Sequence, residues 1–175
     1  MNVITLWQPY ASLIMLGLKN NETRSWNTNI RGEIGIHASK KIISKIEFTE
    51  ILYDYLEDDD KLKLFDAIDK AYGCYENMPI GAILGTVNLS STERTNVLLD
   101  NISWTEFALG DYTPGRWAWN FKGIKPFDKI IPVSGSQGFW YWDCKLANPN
   151  GIRDCVGIKS KGETIEMCKS CKKLT

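Results

Sequence analysis

The fold turns on residues 3–26, VITLWQPYASLIMLGLKNNETRSW. Asn2 to Leu6 alternates apolar and polar side chains and predicts a short strand. Pro9 suits the first turn of a helix, where its missing N–H costs nothing. A helix is therefore expected from Tyr10 to Leu16, ended by Gly17 in a left-handed cap. Asn21 to Trp26 reads as a second strand. On an extended backbone Glu22, Arg24 and Trp26 share one face, and Thr23 and Ser25 the other. Glu22 and Arg24 are then able to pair, with guanidinium donors and an indole beside them, and Lys19 overlooks the same spot. A cation, an ion pair and an aromatic plane suit a nucleobase with its phosphate. The same residues also make a structural ion pair beside a core tryptophan.

Outward from this stretch, Arg31-Gly32 turns into Glu33–Ala38, whose alternation groups Ile34, Ile36 and Ala38 on one face and His37 on the other. Ser39 to Tyr72 reads as helical, with Ile42, Ile46, Thr49, Tyr53 and Leu56, then Leu62, Phe65, Ile68 and Tyr72, at helical spacing. Ala82–Leu89 predicts a strand, and a short helix is expected around Trp104–Phe107. Gly115–Phe121 predicts another strand, with Trp117, Trp119 and Phe121 on one face. Lys129–Val133 predicts a separate one at an edge because of Pro132. Gly135-Ser136-Gln137-Gly138 turns into Phe139–Trp142. Short strands interleaved with two helical zones argue for an α+β class, a small mixed barrel flanked by helices. The expected division is a domain over residues 1–143 and a short cysteine-containing extension over 144–175, since the aromatics vanish after Asp143.

The chain of 175 residues has 20 aromatic residues, enough for one core, and 21 basic against 21 acidic residues. Zero net charge excludes a bulk polyanion binder. It conceals a segregation, however. Residues 1–46 hold six basic and two acidic residues, and 47–69 hold two basic and nine acidic. From 144 onward there are seven basic and three acidic. Any anion-binding face must draw on the first block, with the last block as a further source. No run approaches the roughly 18 apolar residues of a membrane span. Met1–Leu6 lacks a signal-peptide pattern, and a cytoplasmic, reduced setting is expected for the five cysteines. Cys168-Lys169-Ser170-Cys171, with Cys144 and Cys155 upstream, has the thiolates for structural zinc. The upstream pair is not a second knuckle, which favours free thiols, and no other cofactor is implied. His37 is the single histidine, which excludes two-histidine acid–base and metal schemes; on a strand it is expected to be solvent-facing or hydrogen-bonded.

These segments resemble the ASCH domain family (activating signal cointegrator homology) of the PUA-like superfamily. The resemblance rests on Leu6-Trp7-Gln8-Pro9-Tyr10-Ala11-Ser12-Leu13, Gly17-Leu18-Lys19 with Glu22-Thr23-Arg24-Ser25-Trp26, and Arg31-Gly32. It continues through Ile36-His37-Ala38-Ser39-Lys40-Lys41, Gly81–Val87, Trp117-Ala118-Trp119 and Gly135–Trp140. It implies a five- or six-stranded barrel with a cleft between the first helix and the sheet, lined by Lys19 and Arg24 with Glu22 between. The family is proposed to bind RNA, and some members DNA. A short branch of the superfamily hydrolyses an acylated cytidine with a lysine, a threonine and a glutamate. Lys19 matches the lysine, whereas Glu22 stands at the threonine position.

The expected function is thus nucleic-acid binding, to RNA, DNA or a modified nucleotide. Lys19, Arg24, Arg31, Lys40 and Lys41 would contact phosphates, Trp26 or Trp140 would stack, and Gln137 and Gly138 would approach a base, with Glu22 and His37 in the same set. The alternative is a small hydrolase acting on a modified nucleoside or RNA, with Lys19 as base and Glu22 orienting water. A protein-contact role for the acidic helices or the tail is a third.

Overall fold

The computed structural model describes residues 1–142. Among the described residues, six strands and five α-helices are interspersed. β1 (Asn2–Gln8) leads into α1 (Tyr10–Met15), then β2 (Asn21–Arg24) and β3 (Gly32–Ile42). α2 (Lys45–Tyr53) and α3 (Asp58–Tyr72) follow, then β4 (Ala82–Arg94), α4 (Thr95–Leu98) and α5 (Trp104–Ala108). β5 (Trp117–Pro132) and β6 (Phe139–Tyr141) complete the sheet. Its order is β2-β5-β4-β3-β1-β6, with β1 and β3 parallel and the other pairs antiparallel.

The sheet does not close, which corrects the expected barrel: β2 and β6 remain its two edges. Side chains stand where hydrogen bonds would be needed. Trp26 packs edge-on against Trp119 at 4.6 Å and Phe139 at 6.0 Å, while Trp119 and Phe139 stack at 5.2 Å. β2 and β6 share no backbone pairing where these rings pack together. Arg24 Nη2 spans the gap by donating to the Thr5 carbonyl of β1 at 3.2 Å.

One core covers one face of the sheet, with Ile4, Leu6, Ile34, Ile36, Val87, Leu89, Trp119 and Phe121 packed against Ala11, Ile14 and Met15 of α1. The isoleucines of β3 take the face their alternation predicts. A second core joins α2 and α3 to the back of α1 through Phe48, Leu52, Leu64, Ile68, Tyr75 and Leu13. A third, around Val3, Ile83, Ile131, Val133, Trp140 and Trp142, covers the other face of β1 and β3.

Several local expectations are corrected. Residues 39–42 extend β3, and the helix starts only after Ser44, whose side chain accepts from the Glu47 N–H. Ile46 and Tyr53 face outward at 74% and 73% exposure, while Phe48 and Leu52 are buried. Both sets have helical spacing, and the second wins because Phe48 meets Tyr10, Phe65 and Tyr75. Likewise Leu62 is exposed and Leu64 replaces it inside. The two strands expected over 115–133 are one strand, β5. Pro126 and Pro132 lie beyond Trp117–Asn120, the stretch of β5 that pairs with β2, so that side of the strand is an open edge there.

Candidate functional site

Gln8 shapes the first wall. Its Oε1 accepts the Ser12 N–H at 3.0 Å, and its Nε2 donates to Ser12 Oγ at 2.8 Å and to the Pro79 carbonyl at 2.6 Å. This fully buried amide caps α1 from below and fixes the turn through the cis Gln8–Pro9 bond. Trp7 is left 49% exposed, with the Lys41 ammonium 3.4 Å from its ring centroid.

β2 supplies the second wall. Glu22 and Arg24 share a face, as their alternation predicts, and pair at 3.0 Å between Oε1 and Nε. Thr23 points the other way and accepts the Asp111 N–H at 3.0 Å. The segment after α5 is the third wall. There Arg116 pairs with Asp111 at 3.2 Å and donates through Nη2 to the Thr23 carbonyl at 3.4 Å. Hydrogen bonding from Thr113 holds the Asp111 carboxyl below its usual range, with Arg116 adding to it.

Between these walls lies a cavity of about 480 Å³, lined among others by Thr5, Trp7, Tyr10, Glu22, Arg24, Asp111 and Arg116. Burial raises the Tyr10 phenol pKa, assisted by Glu22 and Glu47, so the phenol keeps its proton. The lining charges cancel in two pairs. The site therefore offers fixed donors, acceptors and aromatic faces with little net field.

Lys19 is not among the lining residues. It is 1% exposed; its Nζ donates to the Leu109 carbonyl at 2.6 Å and lies 3.7 Å from Glu106 Oε1. Glu106 also accepts the N–H groups of Asn20 and Asn21 and the Tyr112 hydroxyl. Burial pushes the Lys19 pKa down, against the opposing pull of Glu22 and Glu106. The pair anchors the third wall to β2 from behind.

The other expected site residues scatter. His37 and Trp140 are buried behind β1, on the far side of Thr5. His37 Nε2 contacts the Val133 carbonyl at 3.0 Å, and Trp140 Nε1 donates to Thr5 Oγ1 at 3.0 Å. Burial lowers the His37 pKa. Trp26 plugs the sheet gap, Arg31 is exposed near Thr92, and Lys40 is exposed beside Gly81. Gln137 and Gly138 lie in the loop before β6, outside the cavity lining. Among the described residues no group of three His, Cys, Asp or Glu side chains is placed to hold a metal ion. Cys144, Cys155, Cys168 and Cys171 lie outside the described residues, as does the extension over 144–175. No helix among the described residues is long and apolar enough to cross a membrane.

Sequence reasoning missed Trp7 and Tyr10 as cavity walls, although both sit in the decisive stretch. It also missed Asp111 and Arg116, which carry no motif and are held at the site by Thr23 and by the pairing of β5 with β2.

A family model for the ASCH domain matches residues 4–96. The chain belongs to the ASCH domain family. The matched residues of this ASCH chain include α1, β2 and the Glu22–Arg24 pair. Activating signal cointegrator 1 of Mus musculus and of Homo sapiens are each 26% identical to it over 148 residues. That alignment covers 82% of the ASCH chain but 22% of either relative, so the chain spans about a fifth of their length. The crystal structure of ASCH from Zymomonas mobilis aligns with 74% of this chain and 71% of its own, at 17% identity and a TM-score of 0.43.

Proposed function

We propose that this ASCH chain binds single-stranded nucleic acid, RNA in the first instance, with one base entering the cavity between α1, β2 and the segment after α5. The observation that carries this reading is the pairing of two fixed guanidinium groups, Arg24 and Arg116, with the aromatic walls of Trp7 and Tyr10 in about 480 Å³. That volume lies within the roughly 300–1,000 Å³ of small-ligand sites. RNA-binding modules that read sequence take unstacked bases onto aromatic or guanidinium planes. Neutralised walls favour a base over a bare phosphate, and Lys41 at the Trp7 rim supplies a charge for the backbone.

The test is a titration of labelled single-stranded RNA and DNA and a duplex, at two salt concentrations. Trp7→Ala is expected to cost about 1–3 kcal/mol, the value of one stacked base. Absence of salt-dependent binding below about 100 μM would overturn the proposal. The buried, hydrogen-bonded state of Lys19 speaks against its use as the base of a hydrolase.

A further inference from the structure

Arg31 and Arg94 differ from the two arginines of the cavity. Arg24 and Arg116 each carry a carboxylate partner, whereas Arg31 and Arg94 have none within ion-pair distance among the described residues. Both are exposed. Both are nevertheless held in place by neutral acceptors. Arg31 Nη1 donates to the carbonyls of Thr28 and Ile30 at 2.8 and 2.7 Å, and its Nη2 donates to Thr92 Oγ1 at 2.9 Å. Arg94 Nη1 donates to the Gly115 carbonyl at 3.0 Å, and its guanidinium lies 4.1 Å from the Trp117 ring centroid.

Strand register connects these groups to the cavity. Arg24 of β2 is opposite Trp117 of β5, and Trp117 is opposite Arg94 of β4. Strands in a sheet lie about 4.8 Å apart, so Arg24, Trp117 and Arg94 form a row roughly 10 Å wide. Thr92, which anchors Arg31, is two residues from Arg94 and on the same face, while Glu93 alternates to the opposite one. The row thus begins at a cavity wall with compensated charge and ends in two hydrogen-bonded guanidinium groups with no ion-pair partner among the described residues. Such groups match the oxygens of a phosphodiester and lose little freedom on binding it.

We propose that Arg31 and Arg94, with Trp117 beneath Arg94, form a second contact site that takes the sugar-phosphate backbone of the strand just beyond the base held in the cavity. This rests on the nucleic-acid reading above and adds a footprint to it.

Anisotropy titrations of a labelled single-stranded RNA 12-mer from 50 to 200 mM salt separate the two. Arg31→Gln and Arg94→Gln keep hydrogen-bond donors and remove the charge. Each is expected to flatten the salt slope by about 0.7, the value of one single-strand phosphate contact. Across that fourfold salt range, wild type then loses about sevenfold more affinity than the double variant. Arg94→Lys keeps the slope, and affinity for a nucleoside monophosphate stays unchanged in every variant. Salt-dependent binding by wild type with an identical slope in the double variant would overturn this site and leave the cavity reading standing. No binding of the 12-mer by wild type would remove both. An equal loss of affinity for polyglutamate would reassign the arginines to carboxylates and so refute the backbone contact.

Discussion

Lys19→Met separates a lysine that holds the site together from one that acts on a ligand. Methionine keeps the buried stem and removes only the ammonium. Two groups then lose their partner: the Leu109 carbonyl, 2.6 Å from Nζ, and the Glu106 carboxylate, 3.7 Å away and itself buried. Removing one member of a buried ion pair costs about 3–5 kcal/mol. Glu106 retains three neutral donors, Asn20 N, Asn21 N and Tyr112 OH, so a loss of about 3 kcal/mol is expected. At roughly 2–4 °C per kcal/mol for a domain of this size, the midpoint falls by about 6–12 °C.

Urea unfolding followed by the fluorescence of the seven tryptophans measures that loss. A pH series adds an independent check. The Lys19 pKa is lowered in the folded state, so between that value and the ordinary lysine range near about 10.4 the unfolded chain binds the extra proton. Stability from this group therefore rises with pH through the window, and its burial cost is complete below it. Lys19→Met abolishes the rise. Readings stop near about pH 10, where unfolded tyrosines begin to ionise. Burial holds the Tyr75 and Tyr112 phenols well above that value, so stability falls as pH climbs further. A loss below about 1 kcal/mol, together with abolished oligonucleotide binding, would refute the structural role and return Lys19 to the ligand site.

Phe48→Ala should cost about 3–5 kcal/mol and Ile46→Ala less than about 0.5, although both lie on α2; thermal melts of the two decide which stripe faces the core. Gly85→Ala should unfold the domain at markedly lower urea. Its Cβ would stand 2.7 Å from Met15 Sδ and 2.8 Å from Pro126 Cα, where β4 and β5 cross too closely for any side chain. His37 has a lowered folded pKa, so the protein should lose stability as pH falls from about 6.5 towards that lower value. Wild type and His37→Gln compared by urea titration at pH 5 and pH 7 should show the dependence only in wild type.

Much of the candidate site was legible where chemistry and local geometry coincide. Alternation alone put Glu22 and Arg24 on one face, and the 3.0 Å pair follows from it. The role of Lys19 was not legible. A lysine just past a helix end has the same sequence signature whether it meets solvent or is roofed by Leu109, some 90 residues away. Arg116 and Asp111 had no signature at all, because long-range contacts place them: Thr23 accepts the Asp111 N–H, and Arg116 stands next to Trp117, which pairs with Arg24 of β2.

The helical zone makes the same point in the fold. Its apolar residues offer two stripes, and the choice of Phe48 and Leu52 over Ile46 and Tyr53 depends on Tyr10 and Tyr75, which belong to other elements. By itself, then, the sequence determined the elements with strong local signals: β1, the proline-started α1 with its glycine stop, the alternating face of β3, and membership of the family. Only the tertiary structure decided that the sheet stays open around Trp26, Trp119 and Phe139. It alone decided that Lys19 lies behind the cavity wall, and that Arg31 and Arg94 stand beside the cavity without an ion-pair partner among the described residues. Periodicity and capping act within a few residues, whereas burial and charge compensation depend on partners brought together from across the chain.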